Sequence, residues 1–137
     1  MPVIRPCLAL LLAALLPAAA SHAANIVIMA VEEPDNYDAV NSMSGFAEKE
    51  LRPQGHRVTV VVGDRPLKHQ FEGLVTTLKD ADLLILFSRR RFLPEEQMQA
   101  VRAHLNAGRP LLGIRTANHA FIPRPKEVVG PGLSTWP

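Results

Sequence analysis

The chain has 137 residues, a hydrophobic fraction of 47% and a formal net charge of +2, with 15 Lys and Arg against 13 Asp and Glu. This length suits one domain with a buried core. The near-neutral charge gives no basis for nucleic acid or an anionic membrane as a partner.

Residues 1–24 have the pattern of a secretory signal peptide. Arg5 supplies a positive start, an apolar stretch follows from Cys7, and Ser21-His22-Ala23 is a small-x-small cleavage sequence. The apolar stretch is too short for a membrane-spanning helix. We therefore expect an exported chain, periplasmic or extracellular, with no membrane contact after cleavage. Because cleavage removes Cys7, the only cysteine, the mature chain would have no disulfide, thiolate nucleophile or cysteine metal ligand.

Strand-like and helical patterns alternate through the rest of the chain. The strand-like runs cover 25–31, 56–62, 82–87 and 110–114, and the helical stripes cover 40–51, 71–78 and 98–105. Continuous Val, Ile and Leu in the strands favour burial on both faces, which is typical of parallel sheets. The alternating order predicts an α/β domain with a three-layer, doubly wound parallel sheet.

The C-terminal segment 122–137 breaks this alternation. It contains four prolines and two glycines and has no amphipathic stripe. It is predicted to be an irregular tail without a further strand. Doubly wound domains usually have at least five strands, so the domain 25–137 is expected to lack its C-terminal part.

Polar side chains follow three of the predicted strands. Glu32 comes after the first, Arg89-Arg90-Arg91 after the third, and Arg115-Thr116-Ala117-Asn118-His119 after the fourth. Because the carboxyl ends of parallel strands lie along one edge of the sheet, where ligands bind in open α/β folds, these groups form a candidate site.

Each of these groups has a structural and a functional interpretation. The arginine run is either a solvated loop that pairs with Glu95 and Glu96, or a place where one or two guanidinium groups bind an anionic or polyhydroxylated ligand. His119 is either a general acid/base or a histidine that hydrogen-bonds the turn. Glu32 is either a ligand-binding carboxylate or a turn residue. The sequence leaves these alternatives open.

No metal or cofactor is expected. The remaining histidines of the predicted domain, His56, His69 and His104, belong to different elements and show no ligand spacing. The chain also contains neither a Walker-type loop nor a G-x-G-x-x-G sequence, so nucleotide binding has little support.

The stretches 81–91, 93–97 and 108–121 closely resemble the trehalose-utilisation (ThuA-like) domain. That domain belongs to the class I glutamine amidotransferase-like group, whose fold is flavodoxin-like. The resemblance implies a secreted bacterial protein linked to sugar catabolism. It also implies that Arg90 or Arg91, together with Arg115, Thr116 and Asn118, contacts a carbohydrate, and that His119 is the acid/base if chemistry occurs.

The same resemblance argues against glutaminase activity. Gly113, Ile114, Arg115, Thr116 and Ala117 match the turn Gly-x-Cys-x-Gly, so an arginine stands where amidotransferases have their nucleophile. Arginine stays protonated and cannot attack a carbonyl. Family members also continue with a glycine-rich, histidine-containing segment, so part of such a site is expected to be missing here.

The leading functional expectation is therefore an exported protein that binds or processes a small-molecule carbohydrate. Two alternatives remain: a non-catalytic interaction module of an exported assembly, and a fragment with no function of its own. The sequence does not decide between a monomer and a homo-oligomer.

Overall fold

The structure, a computed structural model, describes residues 22–32, 38–63 and 69–136. The predicted signal peptide lies almost entirely outside these residues. Within them, no helix combines the length and the apolar character needed to cross a membrane.

The described residues form six strands and three α-helices. The strands are β1 (Asn25–Ala30), β2 (Arg57–Val62), β3 (Leu83–Phe87), β4 (Leu93–Pro94), β5 (Leu111–Gly113) and β6 (Leu133–Ser134). The helices are α1 (Ala39–Phe46), which continues through a π-helical turn Ala47–Leu51 and a 3-10 turn Arg52–Gln54, then α2 (Leu74–Leu78) and α3 (Glu95–Asn106).

The central sheet has four parallel strands in the order β2-β1-β3-β5. In the register of β1, Ile28 lies beside Val60 of β2 on one side and beside Ile85 of β3 on the other. The four predicted strands and their parallel pairing are confirmed. This order is compatible with a flavodoxin-like sheet.

Two apolar layers cover the two faces of the sheet. One contains Val27, Met29 and Leu84 together with Leu74 of α2 and Met98 of α3. The other, smaller layer contains Ile26, Ile28 and Ile85 with Ala47, at the end of α1. Helices therefore lie on both faces, which confirms the three-layer α/β prediction.

The expectation that the fourth strand is buried on both faces is wrong. β5 is the edge strand of the sheet, and Leu112 is 52% exposed. Only its neighbour Leu111 packs against the larger apolar layer. Continuous hydrophobicity predicted the strand correctly but could not show that one of its two faces stays in contact with water.

The second helix is shorter than its apolar stripe predicts. Gly73, with a left-handed φ of 77°, lies directly before α2, so the helix begins at Leu74. Phe71 instead forms an isolated antiparallel bridge with Gly63, at the end of β2. Its ring still belongs to the larger apolar layer, together with Leu74 of α2, and is fully buried.

Arg109, just before β5, connects to the segment after α2 through hydrogen bonds. Its Nη1 donates hydrogen bonds to the carbonyl oxygens of Lys79 at 2.7 Å and Ala81 at 3.1 Å.

We expect Arg109→Ala to lower the free energy of unfolding by about 2 kcal/mol, because charged donors to backbone carbonyls contribute more than neutral ones. Urea denaturation measures this. Arg57→Ala, which removes an exposed arginine at the opposite edge of the sheet, should change stability by less than about 0.5 kcal/mol. Equal losses would contradict the assignment.

The expectation that the C-terminal segment contains no further strand is wrong, because the short strand β6 lies in it and attaches it to the domain. β6 pairs with β4 in an antiparallel ladder, outside the parallel sheet. Arg102 of α3 donates a hydrogen bond to the carbonyl oxygen of Thr135 at 3.0 Å. The backbone N–H of Trp136 donates to the carbonyl oxygen of Phe121 at 3.1 Å.

Candidate functional site

The loops that follow β3 and β5 contact each other at the carboxyl edge of the sheet. The backbone N–H of Arg90 donates a hydrogen bond to the carbonyl oxygen of His119 at 3.0 Å. The backbone N–H of Arg91 donates to the carbonyl oxygen of Ala120 at 2.5 Å. The sequence prediction that the arginine run and His119 lie close together is thereby confirmed. Glu32 lies exposed after β1, the strand next to β3.

Arg115 occupies a tight turn between β5 and a 3-10 helix, Arg115–His119. Ile114 is still extended, whereas Arg115 has a left-handed φ of 55°. Gly113 makes the turn compact, because a Cβ at this position would lie 3.1 Å from the Cβ of Ala117. A strand that enters a helix through a strained residue is the geometry of a nucleophile elbow. Here it presents an exposed guanidinium group at the sheet edge.

Arg90 is a second non-glycine residue with a left-handed backbone, at φ 51°. Its Nη1 donates to the carbonyl oxygen of Ile122 at 3.1 Å, and Nη1 of Arg91 donates to the carbonyls of Arg89 and Arg90, each at 3.3 Å. These bonds stabilise the loop and its contact with the 3-10 helix.

Ser88 and Arg89 stand out at the end of β3. Ser88 is 3% exposed, and its Oγ, like Nε of Arg89, is buried without a hydrogen-bond partner among the described residues. Unpaired buried polar atoms cost free energy and are uncommon. Among the described residues, Nε of Arg90 is also buried without a hydrogen-bond partner, so this property does not distinguish Arg89 from the predicted Arg90. Ser88 was not assigned a role in the sequence analysis.

The 3-10 helix carries the other predicted site residues. His119 and Thr116 are half-buried and Asn118 is exposed. Across the described segments, the imidazole of His119 makes no hydrogen bond. A guanidinium, an amide and an imidazole on one turn can bind oxygen atoms and transfer a proton.

His69 is a residue that the sequence analysis did not assign to this edge. Its Nδ1 accepts a hydrogen bond from the N–H of Phe92 at 3.0 Å, and its ring stacks on that of Phe92 with centroids 5.0 Å apart. An accepting Nδ1 means that the neutral ring carries its proton on Nε2. The contact brings the β2–α2 connection to the loop after β3, which no local sequence pattern indicates.

The other histidines have structural partners. Nδ1 of His56 accepts from the N–H of Ala24 at 3.1 Å, and Nε2 of His104 lies 3.0 Å from the carbonyl oxygen of Pro110. In the three described segments, no group of three or more His, Cys, Asp or Glu side chains is arranged to hold a metal ion.

Comparison of the chain with family models, with curated proteins and with solved structures found no match in any of the three.

Proposed function

We propose that this chain is an exported ThuA-like domain protein that binds a carbohydrate at the carboxyl edge of its parallel sheet, without glutaminase activity. The observation that carries the proposal is the turn at Arg115, which has elbow geometry at the position where the resemblance places the amidotransferase cysteine. The strand order supports it too, since β2-β1-β3-β5 corresponds to the first four strands of the 2-1-3-4-5 order of flavodoxin-like sheets.

A sugar suits the chemistry of this edge. A guanidinium group has five N–H donors in a plane and binds neighbouring oxygens in pairs. Thr116 and Asn118, one and three residues further along the turn, add a hydroxyl and an amide that both donate and accept hydrogen bonds. Arg115 cannot be the nucleophile of an acyl transfer because it stays protonated, so ligand binding is the role that the elbow supports best.

Calorimetric titration with trehalose and with an oxidised disaccharide tests this proposal. We expect Arg115→Gly to weaken binding by about tenfold or more, since hydrogen bonds from charged donors contribute about 1.5–3 kcal/mol. Glycine suits the left-handed backbone at this position, so the variant removes the guanidinium group without adding strain.

The matched control is Arg57→Ala, which removes an exposed arginine at the amino-terminal edge of the sheet. It should bind these sugars like the unchanged protein. Equal affinities for Arg115→Gly and Arg57→Ala would overturn the assignment of Arg115.

A separate experiment decides between an enzyme and a binding module. If His119 is the acid/base, His119→Gln should abolish turnover of a bound sugar derivative while leaving its affinity within about threefold. Turnover that persists in this variant removes His119 from the chemistry. Binding without turnover in the unchanged protein favours the non-catalytic module.

A further inference from the structure

A cavity lies beside β5, on the side of the sheet covered by α3. Its volume is about 260 Å³, and its walls come from β3, α3, β5, the 3-10 helix with the segment after it, and the C-terminal tail. The main lining side chains are Leu86, Leu105, Leu111, Phe121, Trp136 and Asn118. Apart from the amide of Asn118 and the indole N–H of Trp136, these side chains are apolar, so the cavity is chemically unlike the arginine-rich sheet edge.

We propose that this cavity binds a small, mainly apolar organic molecule that carries one hydroxyl group, which Asn118 recognises. Neither Arg115 nor His119 lines this cavity, and Asn118 is the one residue that it shares with the proposed carbohydrate site. The apolar walls, formed by other residues, carry the proposal without the carbohydrate function.

The size of the cavity sets the size of the ligand. An apolar cavity of about 150 Å³ holds one benzene molecule, so the volume here corresponds to a ligand on the order of ten non-hydrogen atoms. Ligand sites typically have apolar walls with a small number of polar groups that orient the ligand. Leucine and aromatic walls stabilise the apolar body by removing it from water.

Asn118 determines where the polar end of the ligand lies. Asn118 is exposed, and of the two hydrogen-bonding side chains among the lining residues, its amide and the indole of Trp136, only the amide can both donate and accept. An amide can donate to and accept from a single hydroxyl. Trp136 also lines the cavity and is 38% exposed, and its backbone N–H donates a hydrogen bond to the carbonyl oxygen of Phe121, another lining residue.

The chain has one tryptophan, so its fluorescence reports directly on the cavity. The full chain is titrated with cyclohexanol and, as the matched ligand, with myo-inositol, which has the same carbon ring with a hydroxyl on every carbon. We expect a saturable blue shift of the Trp136 emission with cyclohexanol and none with myo-inositol. No saturable change with cyclohexanol, or an equal response to myo-inositol, would overturn the proposal.

Two variants and one control locate the binding. Leu111→Phe fills the cavity and should weaken cyclohexanol binding by about tenfold or more. Leu112→Phe makes the same change on the exposed, opposite face of β5 and should leave binding unchanged. Asn118→Leu should weaken binding by about three- to tenfold, the contribution of one neutral hydrogen bond.

If circular dichroism shows that Leu111→Phe does not fold, the cyclohexanol affinities of Asn118→Leu and Leu112→Phe are compared instead to test the site. Equal affinities in those two variants count against the site. So does a blue shift that appears without ligand as protein concentration rises, together with a dimer in sedimentation, because a second copy of the chain would then cover the opening.

Discussion

Replacing Gln97 with leucine should lower the free energy of unfolding by about 3 kcal/mol, because it leaves two buried backbone groups unpaired. The side chain is 4% exposed, and its amide bonds to both backbone groups of Phe71, as a neighbouring strand would. Its Oε1 accepts from the N–H of Phe71 at 3.0 Å, and its Nε2 donates to the carbonyl oxygen of Phe71 at 2.9 Å. Leucine fills a similar volume but satisfies neither group.

Gln99, two residues along the same helix, provides the matched control. It is exposed and donates to the carboxylate of Glu95 at 2.6 Å. Gln99→Leu should change stability by less than about 0.5 kcal/mol. Both variants are measured by urea denaturation with the midpoint and the slope compared. Similar losses for Gln97 and Gln99 would show that the buried amide pair is not what holds the β2–α2 connection to α3.

Phe71→Ala should destabilise the domain by about 4 kcal/mol, as expected for deleting a fully buried aromatic ring. The ring is 0% exposed and packs closely against the backbone of Gly63. A Cβ at Gly63 would lie 3.0 Å from Cζ of Phe71 and 3.0 Å from Cγ2 of Val31. The space left by the ring is therefore bounded by backbone and by the end of β1, neither of which can easily move to fill it.

The comparison for this prediction is Phe46→Ala at the end of α1, where the side chain is 38% exposed. We expect a loss of about 1 kcal/mol there, since much of that ring remains in contact with water. Thermal unfolding followed by circular dichroism gives both values. A loss at Phe71 no greater than at Phe46 would mean that the segment before α2 separates from the core before the domain unfolds.

The central sheet could be predicted from the sequence because its signal is local. β1, β2 and β3 are mostly apolar runs rich in Val, Ile and Leu, and the structure places them within a residue or two of the predicted bounds. β4 and β6 were not predicted, since strands of two residues show no periodicity. One of them contains Pro94, a residue that usually argues against a strand.

The candidate site was predictable only as a location. Parallel strands bring the residues after β3 and β5 to one edge, and hydrogen bonds from Arg90 and Arg91 to the 3-10 helix confirm this. The left-handed backbone of Arg115 and the contact of His69 with Phe92 depend on tertiary packing. No propensity shows in advance which arginine of a loop binds a neighbouring backbone carbonyl, as Arg90 does.

The position of β1 in the middle of the sheet affects how the chain can fold. β1 is the first strand of the sheet to be synthesised. Its residue Asn25 hydrogen-bonds with the side chains of Arg57, which follows 32 residues later, and of Asp82, which follows 57 residues later. Pairings this distant in sequence slow folding, because chain entropy is lost before the contacts form. β1, which has a neighbouring strand on each side, therefore cannot complete its pairing in the sheet until β3 has left the ribosome.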